Sequence, residues 1–222
     1  MGTVNRKIAR TILKKHLDAD DPLGWFEELY AMANDDPEII PWADLKPNQN
    51  VVNWLDLQAG MSRGHALTVG SGLGDDAEEL SRRGFHTTAF DISASAVAWS
   101  RKRFPQANVT YVQADLFNAP EQWQNKFDFV LELYTLQVLP PDLRAEAARC
   151  IASFLAPGGI LLVIARAREP DEPMGAMPWP LTLEELQPFE AVGLQTMAFA
   201  DYWDEEDPPV RRFRATYRRQ AI

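Results

Sequence analysis

Ala66-Leu67-Thr68-Val69-Gly70-Ser71-Gly72-Leu73-Gly74-Asp75-Asp76-Ala77 reads as a short apolar strand, a glycine-dense turn and the first turn of a helix. Glycine at three alternate positions admits backbone conformations that a Cβ forbids and lets a ligand approach the main chain. A strand that feeds such a turn and then a helix is where open α/β sheets hold nucleotide-like ligands.

Downstream of this stretch the chain alternates regularly. His86–Phe90 is a β-branched strand ending at Asp91, and Ser93 caps a helix that runs to Phe104 and stops at Pro105. Val109–Gln113 is a third strand, ending at Asp115. Phe127–Leu133 is a fourth, with the continuous apolar run of a strand buried on both faces. The spacing predicts a helix over Pro141–Leu155, stopped by Pro157-Gly158-Gly159, and a fifth strand over Ile160–Ala165. Thr182-Leu183-Glu184-Glu185 is a capping box that opens another helix. Leu194–Tyr202 and Phe213–Arg219 leave no room for a helix between them and read as an antiparallel pair. Five β/α alternations predict a doubly wound, mostly parallel α/β sheet with helices on both faces. The closing hairpin adds two strands at one edge. This domain is expected over residues 61–222.

Upstream there is no strand signal. Residues 3–17 interleave Arg6, Lys7, Arg10, Lys14 and Lys15 with Ile8, Ile12 and Leu13, an amphipathic helical spacing. Asp20-Asp21-Pro22 starts a second helix that ends near Asn34. Pro37, Pro41 and Pro47 then break the chain into a loop holding Trp42, and Asn48 caps a helix ending at Gly60. Residues 1–60 therefore read as a helical cap belonging to the same domain.

Lys+Arg 22 against Asp+Glu 32 gives a net charge of −10. That balance argues against nucleic acid or an anionic membrane as partner, because both need clustered cations. A single cysteine, Cys150, excludes an internal disulfide and a cysteine zinc cage. No stretch approaches the roughly 18 consecutive apolar residues of a membrane span, and the N-terminus lacks a signal-peptide core. The expectation is a soluble cytoplasmic protein with a small-molecule partner. His16, His65 and His86 are too scattered for a metal site or a catalytic dyad, so no metal is expected.

The dinucleotide fingerprint requires Gly or Ala at position 75, where this chain has Asp75. A pyrophosphate on this helix end would meet Asp75 and Asp76, each unfavourable by about 0.3–1 kcal/mol. The turn suits a ligand without phosphates, and S-adenosylmethionine is one. Asp91, at the end of the second strand, can accept both ribose hydroxyls. Asp115 ends the third strand where an adenine amino group can be read, with Leu116 as the apolar neighbour of the ring.

At these residues the chain resembles the class I adenosylmethionine-dependent methyltransferases. Their first motif matches Val69-Gly70-Ser71-Gly72-Leu73-Gly74, and their ribose acid matches Asp91. Their third-strand acid matches Asp115, and Leu155-Ala156-Pro157-Gly158-Gly159 matches the segment before their fifth strand. Many members carry an acid two residues before the first glycine; here that position is Thr68, so the charge partner of the methionine amine comes from elsewhere, and Asp75 is a candidate. A narrower resemblance, to the thiopurine, thiol and halide methyltransferases, rests on three segments. These are Ile40-Pro41-Trp42, Leu139-Pro140-Pro141-Asp142-Leu143-Arg144, and Pro178-Trp179-Pro180 ahead of the capping box. The cofactor set expected is Gly70, Ser71, Gly72, Gly74, Asp75, Asp91, Ile92, Asp115, Leu116, Glu132 and Trp25, the last forming with Phe26 and Trp42 an aromatic lid against the sulfonium or the acceptor.

Methyl transfer from a sulfonium needs alignment and exclusion of water, and no general base when the acceptor is a thiolate, a chalcogen or a halide. No convincing base is apparent. Tyr134, Trp42 and Arg166 are the substrate-side candidates: an aromatic with a polar tip, a lid aromatic, and a cation for an anionic acceptor. The acidic run Asp201–Asp207 and the basic run Arg211–Arg219 are expected to pair across a solvated hairpin. Two alternatives stay open, a catalytically silent binding protein of the same fold and a nicotinamide-dependent oxidoreductase.

Overall fold

A computed structural model describes residues 2–58, 60, 61 and 63–221. Seven strands form one sheet: β1 (His65–Val69), β2 (His86–Asp91), β3 (Thr110–Gln113), β4 (Phe127–Leu133), β5 (Leu155–Arg166), β6 (Leu194–Trp203) and β7 (Arg211–Arg219). Their order is β3-β2-β1-β4-β5-β7-β6. The first five run parallel, and β7 lies antiparallel between β5 and β6. The chain thus skips to the sheet edge with β6 and returns to fill the gap with β7. The strand order reverses between β1 and β4, and ligands of open sheets bind outside the strand C-termini at such a switch.

Period-two alternation sends successive side chains to opposite faces of the sheet. Leu67, Val69, Val130, Leu161 and Val163 pack on one face with Ala147 and Ile151 of the helix α6 (Pro141–Ser153). Ala66, Leu131, Leu162 and Ile164 pack on the other, with Val51, Trp54 and Leu55 of α3 (Gln49–Asp56) and Leu80 of α4 (Asp75–Arg82). Trp54 stacks on Phe129 at 5.5 Å and donates its indole N–H to Thr216 Oγ1 at 3.1 Å. The third helix is therefore a layer of the α/β sandwich.

The helices α1 (Gly2–Leu17) and α2 (Gly24–Ala33) pack on each other and on Trp99 of α5 (Ala94–Arg103) through Ala9, Ile12, Leu13, Trp25 and Leu29. Glu27 fixes their position: it accepts from Ser93 Oγ at 2.7 Å and from Ser95 N and Oγ at 3.1 and 2.6 Å. A carboxylate on the N-terminus of α5 satisfies groups that the helix itself leaves unpaired.

Two expectations shift at the level of single elements. Pro157-Gly158-Gly159 does not separate the helix from the fifth strand. The strand begins at Leu155 and absorbs the triplet through a register irregularity between Phe127 and Phe129 on its partner. The Thr182 capping box opens a 3-10 turn, Leu183–Leu186, which runs into a short helix, α7 (Gln187–Ala191).

Candidate functional site

The three alternating glycines all sit at positive φ: Gly70 at 58°, Gly72 at 52° and Gly74 at 89°. Space is limiting as well as φ. A Cβ on Gly70 would lie 2.6 Å from Thr135 Oγ1, and one on Gly74 would lie 2.5 Å from the Tyr111 hydroxyl. Gly74→Ala is expected to lower stability by about 2 kcal/mol, the usual scale of an unfavourable left-handed residue, read as a fall in the urea midpoint at constant slope.

The turn is held from several sides. Ser71 N donates to Phe90 O at 2.8 Å, Ser100 Oγ to Gly72 O at 2.8 Å, and Gly72 N to Asp91 Oδ2 at 2.9 Å. Asp91 Oδ1 accepts from Ser93 N at 2.9 Å. Burial raises the Asp91 carboxyl above the usual range; the two amide donors pull it back.

A cavity of about 510 Å³ opens over this turn. Gly70, Ser71, Gly72, Gly74, Asp75, Asp91, Ile92, Asp115 and Leu116 line it, as do Trp42, Tyr134 and Arg166. Asp115 is partly engaged, accepting from Phe117 N at 2.9 Å and Asn118 Nδ2 at 2.6 Å.

Two residues of the expected set stand behind the wall. Glu132 is fully buried, its Oε1 accepting from Thr135 N and Leu136 N at 2.8 and 2.9 Å. Burial pushes it up to about 7. It holds the turn that sets Thr135 against Gly70 and does not face the cavity. Trp25 is also fully buried, packed edge-on beneath Trp42 at 6.0 Å. The aromatics that reach the cavity are Trp42, Phe26 and Tyr30.

Asp75 departs from its expected role. Arg103 grips it at both oxygens, at 2.6 and 2.8 Å, so its charge is taken from within the protein. The hairpin ions depart too. Arg211 pairs with Asp201 as expected, but Arg212 is only 1% exposed and meets Asp204, itself buried, at 2.6 Å. The Arg212 guanidinium lies 4.7 Å over the Tyr134 ring and forms part of the cavity wall, so this end of the hairpin is not solvated. Tyr134 itself sits at φ 65°, and its hydroxyl accepts from Asn48 Nδ2 at 3.2 Å. Arg166 is half-buried; burial and the nearby Arg212 and Arg6 lower its affinity for a proton.

Tyr30, Lys46, Asn48, Asp76 and Arg212 also line the cavity, and the sequence reading did not single them out as site residues. Tyr30 alone had a signal, lying one helical turn from Phe26 on α2. Its hydroxyl accepts from Trp42 Nε1 at 2.9 Å and would sit 3.0 Å from a Cβ on Gly72, so α2 closes directly over the turn.

The residues present fit S-adenosylmethionine. The glycine cradle admits a close ligand, Asp91 and Asp115 end adjacent strands, and the acids at the start of α4 oppose a pyrophosphate. Thr68 Oγ1 and Ser71 Oγ are buried beside the turn with no hydrogen-bond partner among the described residues, as polar atoms awaiting a ligand are.

Residues 66–159 match the methyltransferase domain model. That segment is similar to methyltransferase domains. It is 28% identical over 135 residues to a ubiquinone biosynthesis O-methyltransferase of Pseudomonas aeruginosa, covering 60% of this chain and 56% of that protein. It is 25% identical to a probable thiol methyltransferase of Arabidopsis thaliana, covering 84% of this chain and 82% of that protein. The chain thus spans about half the length of the first relative and most of the second. The fold is also that of the 1,6-didemethyltoxoflavin N1-methyltransferase of Burkholderia thailandensis, with a TM-score of 0.67 at 18% identity over 88% of this chain and 85% of that one. No helix among the described residues is long and apolar enough to cross a membrane.

Proposed function

We propose that this protein transfers the methyl group of S-adenosylmethionine to a small, soft or anionic acceptor, a thiol, chalcogen or halide nucleophile. One observation carries the reading: a single cavity joins the glycine turn, Asp91 and Asp115 to a second end built from Trp42, Tyr134, Arg166 and Arg212. The bound sulfonium supplies an activated methyl group, and the chain's residues do the rest. Asp91 holds the ribose and Asp115 with Leu116 the adenine. Phe26, Tyr30 and Trp42 exclude water, and α1, α2 and the loop that follows serve as the cap that carries them, without α3, which belongs to the sandwich.

The acceptor end favours a nucleophile that arrives already ionised. Arg166 has no carboxylate partner among the described residues, and Glu206, an acid of the same cavity wall, is paired with Arg212 at 2.5 Å. Asp207, which lines the same wall, is exposed to solvent, and the cationic Arg166 attracts an anion. The thiol methyltransferase likeness supports the same class of acceptor.

Calorimetry with adenosylmethionine, adenosylhomocysteine and NAD tests the cofactor, and a methyl-release assay across thiols, halides, amines and hydroxy acids tests the acceptor. Micromolar binding of adenosylhomocysteine and turnover of a thiol or halide are expected. Binding without turnover of any class would leave a silent binding protein, and binding of NAD alone would overturn the reading. In the same assay Arg166→Gln should raise KM for an anionic acceptor roughly fivefold, about 1 kcal/mol, and leave the affinity for adenosylhomocysteine unchanged.

A further inference from the structure

The register of the closing hairpin sets two arginines against each other. Arg166, the last residue of β5, is the cross-strand partner of Arg212 on β7, and both line the cavity. Residues paired in this way share one face of the sheet, and like charges directly opposite are destabilising. The two are compensated unequally. Asp204 meets Arg212 Nε at 2.6 Å and Glu206 meets its Nη2 at 2.5 Å, while Nη1 is buried with no partner among the described residues. Arg166 is half-buried and pairs with no carboxylate among the described residues. The charged and titratable groups that face it are Arg212, Arg6 of α1, Glu206 and Tyr134. Asp207, exposed, lines the same wall. Glu206 is already engaged by Arg212, so Arg166 is a partly desolvated cation beside cations, an arrangement that an anion relieves.

Two further contacts fix this end of the cavity. The backbone at Arg166 is held because its N–H donates to Gln137 Oε1 at 2.7 Å, and Gln137 O accepts from Trp179 N at 2.7 Å. Arg6 reaches the cavity from the cap, on a helix whose Arg10 donates from Nε to Met177 O at 2.7 Å. Guanidinium groups from α1, β5 and β7 therefore meet at one place. Each presents paired N–H donors in a fork that the two oxygens of a carboxylate match, whereas a halide or a thiolate offers a single atom. The glycine turn follows β1, and β5 lies two strands away across β4, roughly 10 Å at the usual strand spacing. That span suits a short carbon chain between a reacting atom and an anchoring anion.

We propose that the acceptor carries a carboxylate in addition to its soft nucleophile, and that Arg166 and Arg6, backed by Arg212, hold that carboxylate. The acceptor class is then a mercapto acid, and Arg6 determines specificity from the cap. This assignment rests on the adenosylmethionine reading of the cavity and names the acceptor within it. The thiol loses its proton to solvent before transfer. The thiolate sulfur then bonds to the methyl carbon as the methyl–sulfonium bond breaks, and the carboxylate keeps its charge and its partners throughout.

The experiment compares ω-mercapto acids, from mercaptoacetate to mercaptohexanoate, with their primary amides. Methyl transfer is read at equal thiolate concentration. Binding is read by calorimetry on the full chain saturated with adenosylhomocysteine, where no turnover occurs. At the chain length that spans the cavity, the acid should show a KM and a Kd about tenfold below those of its amide. Arg166→Gln should reduce that ratio to about twofold, and Arg6→Gln, at an exposed helix position, to about threefold. A ratio that stays near tenfold in both variants, as a merely structural role would leave it, overturns the assignment. So does a wild-type protein that holds acids and amides equally at every chain length, or that binds iodide more tightly than any of the acids. Adenosylhomocysteine binding with acids equal to amides removes this proposal alone. If adenosylhomocysteine does not bind, the adenosylmethionine reading itself fails.

Discussion

Asp91→Ala is expected to weaken adenosylhomocysteine binding by more than about tenfold, ~1.4 kcal/mol or more, measured by calorimetry at pH 8. The size of the effect comes from two losses at one position. Each Asp91 oxygen accepts one backbone N–H, from Gly72 and from Ser93, and each keeps a lone pair for a ribose hydroxyl. Alanine removes both ligand contacts. It also leaves the buried Ser93 amide unpaired, which costs about 1–3 kcal/mol, and frees the half-buried Gly72 amide. The turn is then free to move away from the geometry that the glycines make possible. Ser100 Oγ still holds Gly72 O at 2.8 Å, so the fold is expected to survive and the affinity to suffer. Unchanged affinity in the alanine variant would show that the ribose lies elsewhere.

The parts of this site that follow a backbone pattern were readable from the chain alone. Gly70, Gly72 and Gly74 must take positive φ, and strands ending in Asp91 and Asp115 must place both acids on one sheet edge. What the sequence could not decide was which of two neighbours faces a ligand. Asp75 and Asp76 are indistinguishable as letters. Only the structure shows that Arg103, 28 residues downstream, pairs with the first. Trp25 and Trp42 are equally lid-like in sequence, yet helix packing buries the first beneath the second. Glu132 ends an apolar strand, as a site acid would, but the 3-10 turn after it takes the carboxylate for its own amides. Arg212 had the opposite fate. A charge in a hairpin of many charges reads as surface, and only the position of β7 inside the sheet turns it toward the cavity. Long-range contacts of this kind leave no periodic trace.

Ligand-free protein should be markedly less stable at pH 8 than at pH 5.5. Asp76, Asp91 and Glu132 all have folded-state pKa values raised by burial, the first and last to about 7. A raised carboxyl binds its proton in the folded chain at a pH where the unfolded chain has already lost it. Its stability contribution is complete below the unfolded value and is lost as pH rises through the folded one. The window is therefore about pH 4 to pH 7 and slightly above. His16, raised by its hydrogen bond to Glu28, acts in the same direction. The carboxylates that are lowered, Asp21 and Asp201 among them, are already ionised throughout this window and add no slope. Summed and discounted for relaxation, the loss should be on the order of 3 kcal/mol, or roughly 10 °C in Tm for a chain of this size. Asp76→Asn and Glu132→Gln should each flatten the profile, and Gln at 132 keeps an acceptor for Thr135 and Leu136 N–H. Stability that rises from pH 5.5 to pH 8 without ligand would show that these acids ionise in the folded chain as they do in water.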